Sequence, residues 1–299
     1  MRNHRPIIIN AFARGGSNIL MNLLLSHPDV CVSAGETHKV FKGTNWDPFW
    51  RKVKKRFCYD LPIRFLMGQD VLGAENYDER KVVPPVVQKH IDKILFAGRF
   101  VAQQDTHNRY RLEGVEYTHD ELSNCRLLTK GLNGIVFTVD MFREMYPDAV
   151  FFALVRNGLA VCEGYVRRGF SAEFIANTYV RVVGKMLEAN AKMPNYHLVR
   201  YEEMVNRPYE FMTDIYSLAD LDVDQVAKVR LQSKKIMNAS GERGRLKGGN
   251  REVFWYAPSQ LGSHIKSDIN ENQIKQLTEY DKNKFLAIAG PTMEKIGYL

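Results

Sequence analysis

The chain has no apolar run approaching the 18 or so residues that a membrane-crossing helix requires, so no span is expected. Its start, Met1-Arg-Asn-His-Arg-Pro-Ile-Ile-Ile-Asn10, carries only a short apolar stretch before Arg14 and does not read as a signal peptide; a cytoplasmic protein is expected. Cysteine is scarce: four residues, at 31, 58, 125 and 162, with no pair at metal-ligand spacing. That pattern argues against a disulfide scaffold or a zinc site and predicts inert buried thiols, Cys31 and Cys162 above all. Repeats, low-complexity tracts and Pro/Gly/Ser linkers are also missing, so residues 1–299 are expected to form a single domain. With 45% hydrophobic and 25% charged residues, the chain is neither disordered nor fibrous. What is present in excess is positive charge: 42 Lys and Arg against 34 Asp and Glu, a net +8. Such a surplus suits an anionic partner but leaves nucleic acid, a membrane surface and a phosphate-bearing small molecule open.

The readable elements alternate in type. Pro6 to Ala11 and Val150 to Val155 are continuous apolar runs, the mark of strands buried on both faces. Shorter strands are expected at Arg126–Thr129 and Tyr196–Tyr201. Helices are expected at Ser17–Ser26, Asn133–Tyr146 (stopped by Pro147), Gly158–Arg168, Ser171–Lys192, and from about Pro208 to Ala219. Strand alternating with helix predicts an α/β fold, a doubly wound parallel sheet covered by helices on both faces. Two regions break the rhythm. Residues 39–124 are polar and irregular apart from a helix near Pro85–Gln103, and read as an insertion over the carboxyl edge of the sheet, where ligands bind. Residues 238–262 contain five glycines and little periodicity, and read as a loop. The tail, Glu271 to Gly290, reads as one amphipathic helix.

The turn after the first strand is Ala13-Arg14-Gly15-Gly16-Ser17-Asn18. A strand, a glycine turn and a helix start together make an anion site. The glycines admit the ligand to the backbone, and the helix start offers free N–H groups and the positive end of its dipole. Ser17 would cap the helix or bind an oxygen, and Arg14 supplies a charged fork. The turn is not the nucleoside-triphosphate loop, which requires Gly-x-x-x-x-Gly-Lys-Ser/Thr. Its first glycine and its lysine are missing, and no aspartate ends the Val150 strand to help hold magnesium.

Arg14-Gly-Gly-Ser-Asn-Ile-Leu-Met-Asn-Leu-Leu-Leu-Ser-His27-Pro28-Asp-Val30 resembles the 5′-phosphosulfate loop and helix of sulfotransferases, with the spacing from Arg to His-Pro kept. Three further segments resemble that family in its order: Lys130-Gly-Leu-Asn133 with Met145 to Gly158, Tyr196 to Pro208, and Met293-Glu-Lys-Ile-Gly297-Tyr298. The likeness covers nearly the whole chain, is weakest over 43–120, and leans towards the tyrosylprotein-type and bacterial members. It implies a P-loop-like fold, a metal-free reaction, and PAPS (3′-phosphoadenosine 5′-phosphosulfate) as donor, leaving PAP.

The resemblance also implies roles. Arg14 and the N–H groups of Gly15, Gly16, Ser17 and Asn18 would hold the leaving phosphate, and Lys130, at a strand's carboxyl end, the moving sulfuryl group. Ala34-Gly35-Glu36-Thr37-His38 resembles the segment that carries the catalytic glutamate of tyrosylprotein-type enzymes, displaced by one residue. Glu36 is thus the preferred base and His38 its competitor; Asp105 and His107 are weaker candidates. Arg156 would bind the 3′-phosphate. The serine that usually stands eight residues later is Gly164 here, and Arg167 or Arg168 would have to compensate. A basic loop over 238–266, with Arg243, Arg245, Lys247, Arg251 and Lys266, would cover the nucleotide, and Tyr201 would bond or stack near it.

The acceptor is expected to carry a hydroxyl and to contact the 39–124 insertion. A peptide tyrosine, a carbohydrate, a lipid headgroup and a small phenol all fit. The run Arg51-Lys-Val-Lys-Lys-Arg56 reads as a solvated face or as an attractor of an acidic acceptor. Nucleic acid is not expected, since neither a recognition helix nor an aromatic RNA-binding strand is present. The competing readings are a nucleotide-phosphate kinase-like enzyme and a sulfotransferase-like protein that binds PAP without turnover. The oligomeric state is unreadable.

Overall fold

The computed structural model describes residues 5–33, 37, 49–50, 53, 85–104, 115–233, 235–237, 243–245, 252–265 and 267–299. At its centre lies a five-stranded sheet in which every pairing is parallel. The strands are β1 (Ile7–Ala11), β2 (Val30–Val32), β3 (Arg126–Leu132), β4 (Val150–Val155) and β5 (Tyr196–Arg200), in the spatial order β2-β3-β1-β4-β5. β1 is flanked by β3, with Ile9 opposite Lys130, and by β4, with Ala11 opposite Leu154. After β1 the chain winds first to one side and later to the other. The carboxyl ends of β1, β3 and β4 therefore border the crevice where open α/β sheets hold ligands.

All five residues of β1 and all six of β4 are buried. Successive side chains point to opposite faces, which divides them between two cores. Ile7, Ile9, Ala11, Phe152 and Leu154 pack with α1 (Ser17–Leu24), α7 (Tyr201–Asn206) and α8 (Pro208–Leu218). Ile8, Phe12, Phe151, Ala153 and Val155 pack with α5 (Gly158–Val166), α6 (Ala172–Lys192) and α11 (Glu279–Lys295). The first core also receives Ala102 from α2 (Pro85–Gln104), and the second receives Leu122 from α3 (His119–Asn124). This is the expected doubly wound fold. Cys31, Cys125 and Cys162 are buried and unbridged; Cys58 lies outside the described residues.

Several boundaries differ from the sequence reading. β3 continues to Leu132, because its extra residues hydrogen-bond along β1. The segment expected as one helix from Asn133 is a 3-10 turn, Asn133–Thr138, followed by α4 (Val139–Met145); Asn133 itself has φ 52°, incompatible with a helix interior. After the short helix α9 (Leu261–His264), the tail is two helices, α10 (Ile269–Ile274) and α11, because Thr278 caps a new helix by accepting from the Asp281 N–H at 3.1 Å. Part of the expected loop over 238–262 is strand. β6 (Val229–Ser233) pairs antiparallel with β9 (Glu252–Tyr256), and β7 (Lys235–Met237) with β8 (Arg243–Arg245). The Val-Phe-Trp-Tyr run of β9 has the branched and aromatic residues that strands favour, a signal outweighed on the page by the flanking glycines.

Candidate active site

The turn leaving β1 is held from both sides. Gly15 N–H donates to the Phe12 carbonyl at 3.0 Å, which closes the turn. Arg14 has φ 76° and Gly16 φ 88°, so two of three consecutive residues are left-handed. For Arg14 that conformation costs about 1–2 kcal/mol and persists only because its surroundings fix it. Two contacts do so: the Arg14 carbonyl accepts from Arg156 Nη1 at 2.6 Å, and the neighbouring Ala13 N–H donates to Asn133 Oδ1 at 2.9 Å. Gly16 has no freedom to change, since a Cβ there would come within 2.2 Å of the Tyr201 ring. Gly16 is also the cap residue of α1, and Ser17 is its first helical residue, buried. Of the two sequence readings of Ser17, the cap is thus corrected: that position is taken by Gly16.

Lys130 lies at the carboxyl end of β3 with 1% of its surface exposed. Its Nζ donates to Asn18 Oδ1 at 2.9 Å, which brings the lysine to the first turn of α1. Its backbone carbonyl accepts from Thr37 N–H at 2.9 Å, and the hydroxyls of Thr37 and Thr129 lie 2.8 Å apart. Glu36 and His38, on either side of Thr37, lie outside the described residues, as do Asp105, His107, Lys247, Arg251 and Lys266. Arg243 and Arg245 are described as backbone of β8. The structure therefore brings Arg14, Gly15, Gly16, Ser17, Asn18, Lys130, Arg156 and Tyr201 to one sheet edge.

Arg156, just past β4, is 6% exposed, and each of its three guanidinium nitrogens donates to a protein acceptor. Besides the Arg14 carbonyl, it donates through Nε to Asn270 Oδ1 at 2.7 Å and through Nη2 to Gln273 Oε1. Its guanidinium sits 4.3 Å from the centre of the Tyr201 ring. Burial lowers its pKa, and Tyr201, Glu202 and Glu163 pull it back up; burial raises that of Tyr201, and Arg156 opposes the rise. Beyond lies a second tier. Gln273 donates to Glu163 at 2.7 Å, and Glu163, only 3% exposed, also meets Arg167 at 3.0 Å. Glu202 accepts from the Asn157 N–H at 3.0 Å, from Asn270 and from the Tyr298 hydroxyl. The Gly297-Tyr298 close is thus a latch: Arg200 donates to the Ile296 and Gly297 carbonyls and stacks on the Tyr298 ring.

Gly164 acquires a physical reason. A Cβ there would lie 3.2 Å from Arg14 Cβ and 3.3 Å from its Cγ, so a serine would press on the Arg14 stem, which would have to give by a few tenths of an ångström. His27 of the His-Pro pair is structural. Its Nδ1 accepts from the Asp29 N–H at 3.1 Å and its Nε2 lies 3.0 Å from the Asp222 carbonyl, which ties the end of α1 to the loop after α8. Sequence reasoning gave no role to Asn133, Asn270 or Gln273. Amides are common on loops and helices, and only the fold shows which ones face the turn.

A profile of the Sulfotransferase family matches residues 6–225, a span that contains the whole central sheet. The chain belongs to the sulfotransferase family. Among solved structures, the sulfotransferase domain from the Synechococcus PCC 7002 olefin synthase is similar at 16% identity, with 98% of this chain and 96% of that one covered and a TM-score of 0.50. The sulfotransferase domain from the curacin biosynthetic pathway is similar at 15% identity, with 98% of each chain covered and a TM-score of 0.51. At these identities the likeness establishes the shared fold. No curated protein matches the sequence. Among the described residues, no helix of this sulfotransferase-family chain is long and apolar enough to cross a membrane.

Proposed function

We propose that the protein transfers a sulfuryl group from PAPS to an acceptor hydroxyl. The observation that carries this reading is the buried Lys130 bonded to Asn18, in the first turn of the helix that the anion turn opens. A cation built into the core beside a helix start is placed to stabilise a small anion, and sulfuryl transfer, like phosphoryl transfer, depends on position and charge. In the proposed step the acceptor oxygen bonds to sulfur as the bond from sulfur to the 5′-phosphate oxygen breaks, in line. PAP leaves with the bond electrons, and the acceptor proton passes to a base. Arg14 and the N–H groups of Gly15 to Asn18 take the leaving phosphate, and Lys130 the sulfuryl oxygens. Glu36 takes the proton, with His38 the alternative; their neighbour Thr37 is anchored to the Lys130 carbonyl. Arg156 and the basic loop with Arg245, Lys247 and Lys266 serve the 3′-phosphate, and Tyr201 lies near the nucleotide.

One observation favours a second reading, in which Arg156 shapes the turn and the 3′-phosphate is not held: all three of its guanidinium nitrogens already donate within the protein. Calorimetric titration with PAP, AMP and adenosine 5′-phosphosulfate separates the two. At least ten-fold preference for PAP over AMP, which differ only in the 3′-phosphate, supports a working 3′-phosphate site. Equal affinities assign Arg156 to the turn alone, and failure of all three to bind overturns the sulfotransferase reading.

A further inference from the structure

Between β2 and β3 the chain makes one long excursion, residues 33–125, which includes α2 and α3. A cysteine stands at each foot of it. Cys31 is the middle residue of β2, and Cys125 directly precedes β3. The two strands are parallel, with Val30 opposite Arg126, so the cysteines are diagonal neighbours on either side of that pair. Both turn into the core that holds Leu95, Phe96 and Leu122. Cys31 is 2% exposed and Cys125 9%. Their thiols are hydrogen-bonded: Cys31 donates to the Cys125 sulfur, and Cys125 donates onward to the Pro28 carbonyl at 3.8 Å.

A cation completes the cluster. Helix α2 packs against β2 and β3, and its Arg99 is 3% exposed, with the guanidinium 5.5 Å from the centre of the Phe96 ring and 5.1 Å from that of Phe100. The Nε of Arg99 has no acceptor among the described residues, and an unmet donor on a buried cation is costly. The charge of Arg99 reaches both sulfurs, where it favours a thiolate. The two thiols respond in opposite ways. The bond that Cys31 donates, together with burial, pushes its own pKa up. The same bond, helped by Arg99, lowers the pKa of Cys125 against burial and the carboxylates of Asp29 and Glu121. One sulfur is thereby poised to attack and the other to resolve. Cys162 is the contrast: burial first, then the carboxylates of Asp281 and Glu163, push its pKa up to about 12.

We propose that Cys31 and Cys125 are a hydroperoxide-sensitive pair whose reversible disulfide clasps the base of the excursion. The Cys125 thiolate attacks one oxygen of the peroxide, the O–O bond breaks, and the departing hydroxide takes up a proton as water, leaving Cys125 as its sulfenic acid. The Cys31 sulfur then attacks the Cys125 sulfur, the S–O bond breaks, and a second water leaves with the Cys31 proton. Two thiols give up two electrons and the peroxide is reduced; a dithiol reverses the link by exchange. The test treats the reduced, folded full chain with hydrogen peroxide and maps its disulfides by mass spectrometry. The expected product is a Cys31–Cys125 link with loss of two hydrogens, undone by dithiothreitol. The thermal midpoint should rise by about 5 °C or more, since closing so long a loop restrains the unfolded chain. Cys31→Ser should stop at the Cys125 sulfenic acid, trapped with dimedone. Cys125→Ser should leave Cys31 unlabelled and the midpoint unmoved by peroxide, and Cys162→Ser should behave as the parent. A link through Cys58 or Cys162 instead of the pair, thiols that react only after unfolding, or a link that leaves the midpoint unmoved overturns the inference. Arg99→Met should slow oxidation at least ten-fold, and an unchanged rate overturns the part given to Arg99.

Discussion

Two cations flank the anion turn, one on each side of β1, and they are held differently. Lys130 on β3 donates to the side chain of Asn18, in the first turn of α1. Arg156 after β4 donates to the turn's own carbonyl at Arg14 and to two amides of α10. On the proposed reading the β3 side presents charge to the sulfuryl group, whereas on the β4 side Arg156 also braces the left-handed Arg14 through its carbonyl. Buried charge can thus serve chemistry at one position and conformation at another only a strand away, and the two are told apart by removing each.

The largest effect is expected from Lys130→Ala. Loss of one preorganised donor at a reacting group costs about 10²–10³-fold in kcat. PAP release from PAPS in the presence of a hydroxyl acceptor should fall by that amount, while PAP affinity, read by calorimetry, falls less than ten-fold. Equal losses in both would place Lys130 on the nucleotide instead of the sulfuryl group. Arg156→Met should invert the pattern. It leaves the Arg14 carbonyl, Asn270 Oδ1 and Gln273 Oε1 without their donor, at about 1–3 kcal/mol for each group that water does not reach. Denaturant midpoints should register a loss of about 3 kcal/mol or more, and PAP affinity should fall with it. A variant as stable as the parent would show that the network is ornamental to the turn.

Much of this comparison was legible in the sequence. The apolar runs of β1 and β4 gave the sheet because parallel strands buried on both faces read as continuous hydrophobics. Arg14 to Asn18 and Arg156 were placed by the strand ends they follow; Lys130, expected just past a strand ending at Thr129, lies within β3 near its carboxyl end. What could not be read was which partners those cations meet. Asn270 and Gln273 lie over 110 residues from Arg156, and no local pattern marks them. Strand β9 escaped notice because glycines on either side outweighed five residues of good strand character.

Smaller changes probe the turn itself. Gly16→Ala adds a Cβ at φ 88°, within 2.2 Å of the Tyr201 ring. The left-handed conformation alone costs about 1–2 kcal/mol, and displacement of Tyr201 should carry the effect to Arg156, weakening PAP binding at least ten-fold. Gly164→Ser is gentler. Its Cβ would stand 3.2 Å from the Arg14 stem, a conflict that a shift of a few tenths of an ångström relieves. PAP affinity should drop two- to ten-fold. A gain in affinity would mean that the restored hydroxyl outweighs the crowding, and that Arg14 is not fixed by its contact with Gly164.

The smallest expected effect lies away from the site, at His27, and shows how the turn's helix is anchored. Burial lowers the pKa of His27 from its usual 6.5, with the Asp222 carbonyl and the carboxylates of Asp29 and Asp222 opposing. The Asp29 N–H occupies Nδ1, so the neutral ring with its proton on Nε2 fits the site. A proton arriving at Nδ1 would break that bond. The unfolded chain takes up this proton below about pH 6.5 and the folded chain only at lower pH, so stability rises with pH across that interval and is lost on acidification. Burial lowers the pKa of His197 as well, so it adds to the same slope. The carboxylates with lowered pKa values, Glu121, Glu188 and Asp220, lose their contribution only below the ordinary carboxylate range. Urea unfolding between pH 7 and 5 should therefore show falling stability, and His197→Gln should flatten that fall in part. His27→Asn should flatten it further at the cost of about 1 kcal/mol at pH 7, where a hydrogen bond to Asp222 or Asp29 is lost. A slope unchanged in both variants would assign the acid sensitivity to other groups and leave the tie at the end of α1 indifferent to protonation.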